Sequence, residues 1–63
     1  MCLSNAYKSE NGIDTLICER ITNVDVEGKN IKLTNLLGIQ TLVPGVIKSI
    51  DLNKNVIYIE PEK

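Results

Sequence analysis

The sequence predicts an all-β chain, a small antiparallel β-barrel of about six short strands that is expected to pair as a homodimer. Three observations predict it. Ile, Val and Thr together make 18 of the 63 residues, and β-branched side chains favour strands over helices. Turn signals recur at the roughly 8–12-residue spacing of short strands in a small barrel or sandwich. No stretch carries an apolar period that would sustain a helix of more than a turn.

The elements follow in order. A first run covers Cys2 to Lys8 and ends at Ser9-Glu10-Asn11-Gly12, where Asn-Gly favours the positive φ of a tight hairpin. A second run covers Ile13 to Glu19. Next comes the clearest hairpin: Val24-Asp25-Val26, the loop Glu27-Gly28-Lys29-Asn30, and Ile31-Lys32-Leu33-Thr34. Val24 and Val26 alternate with Asp25, and Ile31 and Leu33 with Lys32, so each strand has one apolar and one wet face. After Asn35-Leu36-Leu37-Gly38 a fifth run spans Ile39 to Val43. Pro44 removes a ladder donor and Gly45 allows a sharp turn. A last hairpin joins Val46–Leu52 to Val56–Glu60 through Asn53-Lys54-Asn55, with Ile57 and Ile59 on one face and Tyr58 on the other; Pro61 stops it.

Length and charge bound the function. A chain of 63 residues makes one domain, 1–63, with a core too small to enclose a large substrate cleft. Two cysteines allow one internal bridge at most, which excludes a disulfide-dense secreted scaffold. No apolar run approaches the roughly 20 residues of a membrane span, and no secretory signal is visible, so the expectation is a cytoplasmic protein. Seven basic and eight acidic residues give a net charge of −1, with the basic ones scattered singly. Nucleic-acid readers carry basic patches and stacking aromatics; here the only aromatics are Tyr7 and Tyr58. Histidine is absent. That removes the usual base near neutral pH, the imidazole ligand and any Ser-His or Cys-His pair. Asp14, Asp25 and Asp51 sit among turn and surface signals, so no enzyme is expected.

The distinctive chemistry lies at Cys2, directly after Met1. Removal of Met1 would leave a thiol, a free α-amine and the next amide nitrogen within chelating reach. Such N,S donors suit Ni(II) or Cu(II). One end supplies only two strong donors, whereas two ends meeting at a two-fold axis supply four. From spacing alone a second-position cysteine is more often incidental or a small buried hydrophobe than a ligand, and Cys18, within Leu16-Ile17-Cys18, reads as a core thiol.

The opening Met1-Cys2-Leu3-Ser4, with Tyr7 shortly after, resembles the CooT family of small nickel-binding proteins. So do the blocks Ile21 to Gly28, Ile31 to Gly38, Pro44-Gly45 and Val46 to Leu52. The resemblance spans nearly the whole chain and implies a homodimer that binds nickel through Cys2 of each subunit. It also implies a part in maturing a nickel enzyme, carbon monoxide dehydrogenase. Domains of this family have also been labelled predicted RNA-binding proteins.

Other readings stand beside this one. A small barrel of the Sm-like kind could bind RNA if Lys32 and Lys48 converge on one face. An adaptor could offer a β edge to a protein partner. Zinc could compete for the metal site if two Cys2 and two Cys18 met as four thiolates. For the dimer face the candidates are Leu3, Leu36, Leu37 and Val43. The Leu36-Leu37 pair is odd in a loop, and either a second subunit or one end of the barrel's own core would account for it.

Overall fold

The computed structural model describes residues 3–61. The chain is all-β there, with β1 Ser4–Glu10, β2 Ile13–Glu27, β3 Asn30–Asn35, β4 Gln40–Pro44, β5 Val46–Asp51 and β6 Val56–Glu60. They form one six-stranded sheet in the order β4-β3-β2-β1-β6-β5. No described helix is long and apolar enough to cross a membrane.

Three expectations need correction. The second and third runs are a single strand, β2, of 15 residues. β2 passes the polar stretch from Glu19 to Asn23 through a bulge in which Arg20 adopts φ 53°. A bulge bends a strand without ending it, which is why the stretch read as a break. The sheet is also not purely antiparallel, because β6 lies parallel to β1, with Asn5 opposite Val56 and Lys8 opposite Ile59. Nor is the barrel closed. β4 and β5 are the two outer strands and share no ladder; the chain turns between them at Gly45, whose N–H donates to the Lys29 carbonyl at 2.9 Å. The expected strand start at Cys2 lies outside the described residues.

The hairpin chemistry reads through. Asn11 and Gly12 both have positive φ, 55° and 76°, the pattern of a two-residue I′ turn. In the β2–β3 hairpin Val24 opposes Leu33 and Val26 opposes Ile31, while Asp25 opposes Lys32 on the other face. Asp51 closes the β5–β6 turn, its Oδ1 accepting from the N–H groups of Asn53 and Lys54, both at 3.0 Å.

β2 organises the molecule. Its first part pairs with β1 as far as Ser4 opposite Ile21, and its second part pairs with β3 from Ile21 opposite Asn35. Ile21 therefore belongs to both ladders, at a corner where the sheet turns. Beyond that corner the sheet curls over itself, since Leu33 on β3 and Ile59 on β6 share one buried cluster with Ala6, Ile21, Ile31 and Ile57. Ile31, Leu33 and Ile59 are fully enclosed, each contributing about 2–3 kcal/mol of burial. Val43 faces this core rather than solvent.

Candidate metal centre

Cys2, the expected ligand, lies outside the described residues, and the described chain begins at Leu3. Leu3 is half-buried, and Ser4 opens β1 opposite Ile21. Asn5 is the first residue whose side chain holds something. Opposite it on β2 two residues, Glu19 and Arg20, occupy the space of one, because the register steps from Ser4–Ile21 to Ala6–Cys18. The Arg20 N–H turns to Asn5 and donates to its Oδ1 at 3.2 Å. The backbone N–H of Asn5 donates in turn to the Asn55 carbonyl at 3.0 Å. The start of β1 is thus tied to β2 on one side and to the β5–β6 turn on the other.

The same corner carries the β3–β4 turn. The Leu36 N–H donates to the Arg20 carbonyl at 2.8 Å. Asn35 folds its side chain over the turn, its Oδ1 accepting from Leu37 N–H at 2.9 Å and Ile39 N–H at 3.0 Å. The Thr22 hydroxyl lies 3.3 Å from the Thr34 carbonyl and 3.4 Å from that of Asn35. The backbone is well satisfied, whereas the apolar side chains are not. Leu36 is 57% exposed, Leu37 75% and Ile39 57%. The pair does not cap the protein's own core. Of the proposed dimer-face residues, Leu36 and Leu37 stand free, Leu3 is half-covered, and Val43 packs against the core opposite Ile31.

Cys18 sits elsewhere. It opposes Ala6, packs against the core cluster, and its thiol lies 3.8 Å from the Glu19 carbonyl. Among the described residues no three His, Cys, Asp or Glu side chains gather into a set that could hold a metal. The two lysines of the RNA-binding reading are each engaged by a different partner: Lys32 on β3 pairs with Glu27 at 3.4 Å, and Lys48 on β5 reaches the buried Ser9 hydroxyl of β1 at 3.3 Å. Tyr7 and Tyr58, on neighbouring strands, pack on each other with ring centroids 6.2 Å apart. A shallow pocket lined by Lys8, Glu10, Asn11, Ile13 and Thr15 lies at the β1–β2 hairpin tip, about 20 Å along β1 from its start.

The family model described as CO dehydrogenase accessory protein CooT matches residues 1–60. The chain belongs to the CooT family. Its match takes in Cys2 and all six strands, and its description makes the family an accessory of CO dehydrogenase. An uncharacterized protein of Methanothermobacter thermautotrophicus is 42% identical over 62 residues, covering 98% of this chain and 92% of that protein. A crystal structure from Carboxydothermus hydrogenoformans, assigned to CooT, superposes with a TM-score of 0.90 at 22% identity, covering 98% of this chain and 100% of the other. At that identity the likeness establishes the fold. The bent β2, the parallel β1–β6 pair and the unclosed sheet are thus an arrangement this chain shares with that protein.

Sequence reading passed over Asn5, Arg20 and Asn35. Asn35 carried a usable signal, since an Asn ahead of a short loop with a glycine commonly bonds the backbone two residues on. Arg20 carried none.

Proposed function

We propose that this CooT-family chain is a nickel-binding accessory protein that holds Ni(II) between two copies through the Cys2 thiolates and supports maturation of carbon monoxide dehydrogenase. The observation that carries the reading is the family match over residues 1–60, which includes the cysteine at position two and names the enzyme served. The donor chemistry agrees, because thiolate and amine nitrogen together suit Ni(II). Two exposed leucines at the β3–β4 turn supply an apolar surface for a second copy, and an isologous pair would supply the two Cys2 thiolates that the reading needs. The reading assigns the chain no catalysis of its own and places it in the cytoplasm.

Isothermal titration of nickel into the wild type and into Cys2→Ser tests it. The expected result is binding near one nickel per two chains in the wild type and none in the variant; equal binding by both would overturn the assignment. Copper and zinc belong in the same titration. Zinc through two Cys2 and two Cys18 is disfavoured, because Cys18 packs on the core side of β2.

A further inference from the structure

We infer that Asn5 is a positioning residue for the nickel site, acting through the kink at Arg20 to set the start of β1 against the Leu36–Leu37 turn. The inference rests on the nickel reading above and adds a residue to it. Arg20 occupies the left-handed region at φ 53° within a strand, where a side chain other than glycine is held by its surroundings rather than by preference. What holds it is visible on both sides of its peptide units. Its N–H donates to Asn5 Oδ1, and its carbonyl accepts from Leu36 N–H. Neither bond belongs to a regular ladder. Asn5 stands three residues after Cys2 in the chain, and Leu36 begins the exposed apolar turn. One residue of β2 therefore bridges the segment that carries the thiol and the surface offered to a second copy.

The consequence for metal binding is geometric. Four donors from two chains can meet a nickel ion only if each chain presents its N-terminal segment at a fixed place relative to the pairing surface. Leu36 and Leu37 are exposed and make no tie of their own to β1; the hydrogen bonds at the corner link their turn, through Arg20, to Asn5. Removing the Asn5 amide leaves the Arg20 N–H without its acceptor and the positive φ without its tie. The bulge keeps its extra residue, because the pairs Ser4–Ile21 and Ala6–Cys18 flank it, but its conformation is no longer fixed, and the start of β1 loses its tie to the Leu36 turn. A glycine at position 20 takes the same φ freely, so it should keep the kink without Asn5.

The test compares wild type, Asn5→Ala, Asn5→Ala/Arg20→Gly and the core variant Leu33→Val, each confirmed as folded. Nickel is titrated by calorimetry and followed by the thiolate-to-nickel charge-transfer absorption. Amide resonances of Leu3, Leu37 and Ile39 are read on the metal-free proteins. Asn5→Ala should lose tenfold or more in nickel affinity and weaken the absorption, with those resonances displaced. The double variant should recover both, and Leu33→Val should bind as the wild type does. Wild-type nickel affinity in Asn5→Ala, a loss the double variant does not recover, or an equal loss in Leu33→Val would each overturn the inference. A wild type that takes up no nickel would overturn the nickel reading instead. The metal-free resonances would then decide the role of Asn5 alone: displacement restored by Arg20→Gly supports it, and no displacement overturns it.

Discussion

Gly45 and Glu60 approach so closely that a Cβ on Gly45 would lie 2.5 Å from the Glu60 carbonyl oxygen. The contact sets the corner between β4 and β5 against the end of β6, at a φ of 144° that also favours glycine. Gly45→Ala must therefore move backbone, and we expect a loss of about 2–4 kcal/mol in unfolding free energy. Urea denaturation checks it; a loss below about 0.5 kcal/mol, the ordinary range of surface changes, would show that the corner yields.

Leu33→Ala should cost about 3 kcal/mol, since it empties a fully buried site between the two parts of the curled sheet. The thermal midpoint should fall, and a fall no larger than that of an exposed Leu42→Ala would contradict the assigned core.

Leu37→Asp alters an exposed side chain, so the fold should survive it. On the proposed function it should yield monomers in analytical ultracentrifugation and lose nickel affinity in the same protein. Monomers that bind nickel as tightly as the wild type would mean that each copy binds metal alone.

Cys18→Ala should leave nickel affinity and stoichiometry unchanged while costing about 1 kcal/mol of stability from lost packing. Loss of metal in this variant would bring the four-thiolate zinc arrangement back.

Nickel affinity should fall as the medium is acidified. Each thiol must give up its proton to ligate, so protons compete with the metal. If two thiols are protonated in the free protein and both ligate, the apparent affinity falls by about 100-fold per pH unit on the acid side of their titration. Titrations at several pH values measure that slope, and a flat profile would exclude thiolate ligation.

Much of the fold was legible in the residues because it is written locally. Asn11-Gly12 named its own turn, and Val24/Val26 against Ile31/Leu33 named both the pairing and the buried face. What failed to show was long-range or conformational. Nothing about Val56 to Glu60 says that it will lie parallel to Asn5 to Lys8 rather than pair only with its own hairpin partner. Arg20 is an ordinary residue in an unusual conformation, bonded to Asn5 and Leu36, and nothing in its identity signals a bulge, so β2 read as two strands. Barrel closure was inferred from strand number, but closure also needs the edges to pair, and β4 and β5 do not. At the candidate site, chemistry pointed to Cys2, and the oddity of Leu36-Leu37 pointed to a free apolar surface. Val43 misled because its place before Pro44 resembled a loop edge, while its strand parity sends it inward.

The parallel pairing of β1 with β6 bears on how the molecule is made. Asn5 and Val56, neighbours across that ladder, are separated by most of the chain, so a central rung of the sheet has to wait for the last strand. While the polypeptide is still emerging from the ribosome, β2–β3–β4 can gather as local hairpins, but β1 has only one of its two neighbours. High contact order of this kind slows folding, because a large loop must close before its pairing is gained. β1 would accordingly be among the last strands of the newly made chain to complete its pairing, after the C-terminal hairpin has left the ribosome.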